Sequence, residues 1–241
     1  MEMNFHTTTA DTDGVLCVRI TSDDFDKYNL LQQQLLEKKL QLVAKRTFDI
    51  GVSSILIFLF SPILLLVTIL IKLTSRGPVL YSNDRVGLYG EHFKCFKFRS
   101  MVVNHAIKHD DHKQAIEGQQ VGVLHKKKDD SRITLIGKII RKTSIDELPQ
   151  LFNVLKGDMS IIGPRPLVPF MLKPYPEFSK IRGLVKPGIT GLWQIRDREH
   201  NTSAEFMISH DTEYIENYSL VQDLKILVET PIAVLSAKGA Y

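Results

Sequence analysis

Two adjacent carboxylates, Asp146 and Glu147, lie in RKTSIDELPQLFNVLKGDMSIIGPRP, residues 141–166, the stretch of this chain densest in groups that can do chemistry. Pro149 follows them, and proline is well tolerated in a first helical turn, so the spacing predicts a helix that begins near Asp146. Both acids would then sit at its positive end. Phosphate oxygens and a bound cation are welcome in the same place, and Arg141, Lys142, Lys156 and Arg165 are close in sequence. Adjacent helical residues point in different directions, which suits two separate roles better than one shared proton. One carboxylate can attack phosphorus while the other holds magnesium. A plainer reading competes with this one: Ser144-Ile-Asp-Glu147 fits a capping box, and acids in a first turn stabilise any helix through its dipole.

The elements that must position these groups include one apolar run. From Ile50 to Ile71 the chain reads IGVSSILIFLFSPILLLVTILI without a charge, and a straight helix of that length would cross a bilayer core. A long polar stretch precedes it and no small-residue cleavage site follows, so it is no signal peptide. Pro62 removes a backbone donor, and Ser61 is biased away from helical geometry by the proline after it. Each half is then only about 16 Å long, roughly half the hydrocarbon thickness. Lys38, Lys39, Lys45 and Arg46 before the run, and Lys72, Arg76 and Arg85 after it, draw both ends to the cytoplasmic side. These features predict a re-entrant helix-break-helix at Ser61-Pro62, with a proline-kinked transmembrane helix as the alternative. Ser53, Ser54 or Ser61 can satisfy carbonyls freed at the break.

Around it, residues 1 to about 25, rich in Thr and Asp without a period, predict a loose tail. Leu30, Leu31, Leu35, Leu36, Leu40 and Val43 recur at helical spacing and predict an amphipathic helix, open to the membrane or to a second subunit as in a homodimer. VLYSNDRV and HFKCFKF, flanking Gly87 to Glu91, predict a small β-hairpin ending near Lys97 and Arg99. Val102 to Asp130 is a polar excursion. Its His105, His109 and His112 lack a carboxylate or cysteine to complete a ligand set, and suit a solvated helix face better than a metal. Ile133, Ile136, Ile139 and Ile140 beside Lys138, Arg141 and Lys142 suit an interfacial helix or an ordinary core-packed one. Leu220, Leu224, Leu227 and Val228, then Ile232 and Leu235 beyond Pro231, give similar surface helices. The organisation expected is a tail and amphipathic helix over 1–44, the re-entrant helix over 45–76 and a cytoplasmic domain over 77–241.

Composition sets bounds on this picture. A chain of 241 residues buries one good-sized core, and its 44% hydrophobic and 24% charged residues are those of an ordinary globular protein. The net charge of +4 favours phosphates or acidic headgroups as neighbours, and nucleic acid is not among the partners expected. Cys17 and Cys95 make neither a disulfide framework nor a zinc site, which fits a reducing, cytoplasm-facing location. No GxxxxGK[ST] loop, GxSxG elbow or HExxH helix occurs, which removes the commonest soluble phosphotransferases and hydrolases.

The acidic segment, with KFRSM at 97–101, KPGITGLWQI at 186–195 and DLKIL at 223–227, resembles the bacterial sugar transferase family of monotopic phosphoglycosyl transferases over roughly residues 45–241. The resemblance implies an α+β, mainly helical, monotopic membrane protein with a re-entrant helix broken at Ser61-Pro62, interfacial helices and a small hairpin. It implies that Asp146 is the nucleophile, forming a phosphosugar-enzyme intermediate, and that Glu147 helps to bind Mg2+. The implied donor is a UDP-sugar and the acceptor undecaprenyl phosphate, with UMP released at the cytoplasmic face of the bacterial inner membrane, amid its lipid. Lys97, Arg99, Arg141 and Arg165 are then candidates for phosphate contact, and Pro164 and Pro166 for fixing the loop that presents Arg165. After Trp193-Gln194 the chain reads IRDREH where many relatives have Gly-Arg, so no substrate role is carried over to Arg196 or Arg198. The closing Gly239 to Tyr241 resembles the C-terminus of larger members, whose multi-span N-terminal domain is not expected here. A non-catalytic, membrane-anchored scaffold is the rival of another class, and loss of Asp146 or Glu147 would favour it.

Overall fold

The computed structural model describes residues 8–10, 16–18, 22–102, 132–196 and 204–235. Two helices lead into the domain, α1 (Ser22–Glu37) and α2 (Lys39–Thr74). A hairpin follows, β3 (Leu80–Val86) against β4 (His92–Phe98), antiparallel with Tyr81 opposite Lys97. Helix α3 (Leu135–Lys142), a 3-10 turn (Ile145–Glu147) and helix α4 (Gln150–Lys156) carry the acidic segment. Strand β5 (Ser160–Ile162) pairs in parallel with β6 (Gly188–Thr190) across the short helices α5 (Pro169–Leu172) and α6 (Pro176–Arg182). Helices α7 (Leu192–Arg196), α8 (Ala204–Glu216) and α9 (Leu220–Leu235) complete a mostly helical body.

Within the stretch expected to be a loose tail, β1 (Thr8–Ala10) and β2 (Leu16–Val18) pair antiparallel, and α1 starts at Ser22. The amphipathic helix expected from Leu30 to Val43 is divided between α1 and α2 at Lys38, whose Nζ donates to the Tyr218 carbonyl at 2.8 Å. Leu31 and Leu35 enter the main core while Leu30, Leu36, Leu40 and Val43 stay exposed. His105, His109, His112, Arg198 and Gly239 to Tyr241 lie outside the described residues, as does the excursion after Val102.

Helix α2 is inside out by the standard of a soluble protein. Its buried face near the N-terminus is polar, with Lys45, Asp49 and Ser53 recurring every fourth residue at 6%, 2% and 0% exposure. Its outward face is apolar, with Phe58 at 84% exposure and Ile55, Leu59, Leu65 and Leu66 all exposed. Lys45 donates to Asp223 at 2.7 Å, and Asp49 accepts from the Ser160 hydroxyl and the Ile161 amide, each at 3.0 Å. Toward the other end, Val67 and Ile71 are buried against Phe98 and Ile140. Water does not solvate such a surface cheaply; lipid does. The helix is long and apolar enough to cross a membrane, and the protein is membrane-associated.

The helical backbone continues through Pro62, where the sequence predicts a break. The reason is local: Pro62 has no N–H for the carbonyl of Phe58, and the Ser61 hydroxyl donates to that carbonyl at 2.8 Å instead. Helix α9 likewise runs through Pro231. Its Val221, Leu224, Val228 and Ile232 form an exposed apolar stripe, while Ile226 is buried in the main core. In α3, Ile140 is buried and Ile136 half-buried against Val67 and Ile71, whereas Leu135 and Ile139 are exposed, so this helix has both a core face and an outward apolar face.

Asp223 is the anchor of the inverted helix, because it also accepts from the Tyr214 hydroxyl at 2.8 Å. Asp223→Ala strands the buried Lys45 ammonium. Denaturant unfolding in detergent should show a loss of about 3–5 kcal/mol, and a loss under about 1 kcal/mol would show that the pair does not hold the helix.

Candidate active site

Ser144 is in the left-handed region at φ 57° and its side chain caps nothing. The chain then closes a tight turn in which the Glu147 amide donates to the Ser144 carbonyl at 3.2 Å and the Leu148 amide to that of Ile145 at 3.1 Å. The expected helix therefore starts later, at Gln150, and the acids precede it instead of occupying its first turn. This corrects the capping box. Ser144 makes no capping hydrogen bond, and the Glu147 side chain is engaged by Lys97 and Arg165. Asp146 is 9% exposed, and the flanking Ile145 and Leu148 pack against clusters that contain residues of α2.

Glu147 Oε1 accepts from Lys97 Nζ at 2.6 Å and from Arg165 Nη2 at 2.9 Å. Burial raises the proton affinity of this carboxyl, but Arg165 and Lys97 outweigh it and hold the group well below the usual carboxylate range. Arg165 responds in kind: Glu147 chiefly, and Asp146 also, keep its guanidinium above its ordinary pKa. Two cations and two carboxylates thus share one small volume. Cys95, two residues before Lys97, is fully buried beside them, and burial pushes its thiol up against the pull of Lys97 and Arg85.

The loop presenting Arg165 is held at every carbonyl. The Gly188 amide donates to Pro164 O at 2.9 Å, Arg182 Nη2 to Arg165 O, Arg85 Nη1 to Pro166 O at 2.9 Å, and the Val86 amide to Leu167 O at 3.0 Å. Upstream, the Gly163 amide donates to Thr190 O at 2.9 Å. Close approach here requires glycine, because a Cβ on Gly188 would lie 2.1 Å from the Gly163 nitrogen. The strand carrying Lys97 is fixed separately. Asn153, fully buried in α4, accepts from the Phe96 amide at 2.9 Å and donates to Lys94 O at 2.8 Å, serving β4 as a missing neighbour strand would.

Of the residues singled out from sequence, the structure joins Lys97, Asp146, Glu147 and Arg165, with Pro164 and Pro166 in the clamped loop. Arg99 goes elsewhere: its guanidinium donates to Ser75 O and Arg76 O at 2.8 and 2.9 Å and finishes the C-terminal end of α2. Arg141 lies in the last turn of α3, a helix packed on the 3-10 turn. Lys156 pairs with Asp158 at the surface, and Arg196 with Glu213. Ser61 and Pro62 are exposed in α2. Sequence reasoning missed Arg85, Arg182 and Asp211. The first entered only as a basic flank of the apolar run.

Both cationic contacts to Glu147 fall on Oε1, so Oε2 is the oxygen of this carboxylate that a divalent cation could take. Magnesium binds through one or two carboxylates, with water and substrate phosphates completing its shell, and Glu147 can supply one of them.

The model of the family described as bacterial sugar transferase matches residues 40–237. The chain belongs to the bacterial sugar transferase family. The undecaprenyl-phosphate galactose phosphotransferase of Salmonella typhimurium is 42% identical over 212 residues, 87% of this chain and 44% of that protein. The exopolysaccharide production protein ExoY of Rhizobium meliloti is 38% identical, covering 83% of this chain and 88% of its own length. The UDP-glucose:undecaprenyl-phosphate glucose-1-phosphate transferase of Klebsiella pneumoniae is 41% identical over 84% of this chain and 42% of its own. The chain thus spans less than half of two of these relatives and most of the third.

Because the folded pKa of Glu147 is depressed, the stability it contributes is fully present above its unfolded value, about 4.3, and is lost as pH falls through the folded one. The stability difference between the wild type and Glu147→Gln should therefore be flat from pH 8 to 6 and shrink below about pH 4.5. Thermal midpoints across that range measure it. A difference that grows on acidification would mean that the carboxyl is not held by Lys97 and Arg165.

Proposed function

We propose that this family member is a phosphoglycosyl transferase: it moves a sugar 1-phosphate from a UDP-sugar to undecaprenyl phosphate, giving undecaprenyl-diphosphate-sugar and UMP. This is the initiating step of exopolysaccharide, capsule, O-antigen or glycan assembly. The observation that carries the proposal is the buried Asp146 carboxylate, set in a tight turn beside two cations that Glu147 holds in place. Names of relatives add that such proteins act on undecaprenyl phosphate with galactose or glucose phosphate.

In the proposed reaction an Asp146 oxygen attacks the phosphorus that bears the sugar. The bond from that phosphorus to the bridging oxygen breaks, and UMP departs with the electron pair. A lipid phosphate oxygen then attacks the same phosphorus and returns Asp146 as a carboxylate. Arg165 and Lys97 supply positive charge where the phosphoryl oxygens gather, the main requirement of phosphoryl transfer. Glu147 would hold Mg2+ through Oε2, and when bound the cation would neutralise charge on the phosphate of the departing UMP. The two reactants differ in solubility. A site flanked by residues that pack toward α2 lets the donor come from water and the acceptor from the bilayer.

The proposal includes a re-entrant topology, with both ends of α2 on the cytoplasmic face of the inner membrane. Support comes from the docking of both ends on the one domain, through Lys45 and Asp223 at one and through Ile71 and Phe98 at the other. Basic residues flank both ends. Cysteines placed at positions 42 and 80 should both resist a membrane-impermeant reagent in intact cells and both react in inverted vesicles. Reaction of one alone from the periplasmic side sinks the re-entrant path.

Covalent chemistry gives the sharper test. With a UDP-sugar and magnesium but no lipid, the protein should release one equivalent of UMP and keep a sugar-phosphate on the peptide containing Asp146. Asp146→Asn, which retains shape and loses the nucleophile, should do neither, with turnover down by at least about a thousandfold. Full turnover by that variant would point to direct transfer from donor to lipid.

A further inference from the structure

The four consecutive carbonyls of residues 164–167 accept hydrogen bonds from four separate donors, two of them arginine side chains. Prolines 164 and 166 contribute no amide hydrogens, so the carbonyls and the ring geometry are what fix this loop. Arg182 differs from the other donors. It is 6% exposed at the end of α6, its Nε donates to Asp211 Oδ2 at 2.7 Å, and its Nη2 reaches across to the Arg165 carbonyl. Asp211, on α8, is 2% exposed, and burial raises its carboxyl against the pull of Arg182. A guanidinium has donors in a rigid fork, so one arm anchored on a fixed carboxylate determines where the other arm points.

We propose that Arg182, oriented by Asp211, is a positioning residue of the active site: it holds the Arg165 backbone so that the Arg165 guanidinium meets Glu147. Phe178 lies against the guanidinium of Arg182, 5.5 Å from ring centroid to Cζ, and limits its other orientations. The route from Asp211 to Glu147 thus runs through Arg182 Nη2, the Arg165 carbonyl, the Arg165 side chain and Glu147 Oε1. Arg182 itself touches no carboxylate of the acid pair. Its effect passes through Arg165, and this separates a positioning role from a catalytic one.

The catalytic consequence rests on the transferase function proposed above, whereas the loop-holding claim does not. Arg182→Lys keeps the charge opposite Asp211 but cannot span both partners. In the full-length protein in detergent, amide exchange of the peptide covering 160–168 should be at least about fivefold faster in this variant, with peptides of α2 unchanged. Equal exchange in that peptide overturns the proposal whether or not the protein has activity. For UMP release, Arg182→Lys should lower turnover by about tenfold to a hundredfold. In an Arg165→Ala background the same change should cost less than about twofold, because the group it positions is gone. The same loss in both backgrounds would mean a general structural role and overturn the proposal. Should Arg182→Lys fail to fold, the pair of changes Arg182→Met with Asp211→Leu removes the buried charges together and takes its place in both measurements. If the wild type releases no UMP from any of a panel of UDP-sugars, the functional proposal fails, and the exchange result still decides this one.

Discussion

One oxygen atom, Oε1 of Glu147, receives two cations from elements far apart in sequence. Lys97 comes from the last residues of β4 and Arg165 from the loop after β5, and each is within 3 Å of that oxygen. Such a carboxylate is stable as an anion only where both cations are delivered with good geometry. The rest of the domain supplies that geometry. Asn153 binds the backbone of β4 to α4, the helix that follows the acidic turn. The carbonyl clamp binds the Arg165 loop to β3, α6 and β6. The acidic turn needs no cap of its own because its neighbours on both sides are held.

That local order has an electrostatic result. Glu147 neutralises part of the charge of Lys97 and Arg165 and fixes their positions. Preorganised charge of this kind lowers a barrier because little reorganisation is left to do when the reaction occurs. Arg85, donating to Pro166 O from β3, adds a further positive group near the same volume, and burial holds its pKa down against the pull of the nearby acids.

Much of this was legible in the sequence, and the failures have physical reasons. Alternating VLYSNDRV and HFKCFKF announced β3 and β4, and the uncharged run announced α2, because side-chain period and solvation are properties of local sequence. The acid pair, Lys97 and Arg165 were likewise singled out by residue type and by resemblance, the cations as phosphate contacts, and their meeting at Glu147 is visible only in the fold. Arg182 and Asp211 were invisible: a side chain that donates to a backbone carbonyl leaves no pattern, since every residue has the acceptor. Arg99 was misdirected for the same reason, its targets being the carbonyls at the end of α2. Ser144 fitted a capping box by spacing, but its positive φ, a matter of tertiary fit, overrode the local preference. Helix continuity at Pro62 was missed because Ser61 compensates for the lost N–H within its own turn.

The polar stripe of α2 follows from what lipid cannot do. An apolar helix face has no strong preference between a protein core and acyl chains, since both are equally free of water. Leu, Ile and Phe on α2 therefore cannot specify where the helix docks. Lys45 and Asp49 can, because unpaired polar groups in hydrocarbon are costly and the domain offers Asp223 to the first and Ser160 and the Ile161 amide to the second. The buried ion pair adds little net stability over an apolar pair of similar volume, and its contribution is selection of one register and one face. Asp223 lies two residues before Lys225 in DLKIL, and Ser160 stands at the head of the strand leading into GPRP. Ser160 and Ile161, which fix Asp49 of α2, are thus within a few residues of Arg165, so strand β5 serves both the docking of the helix and the site.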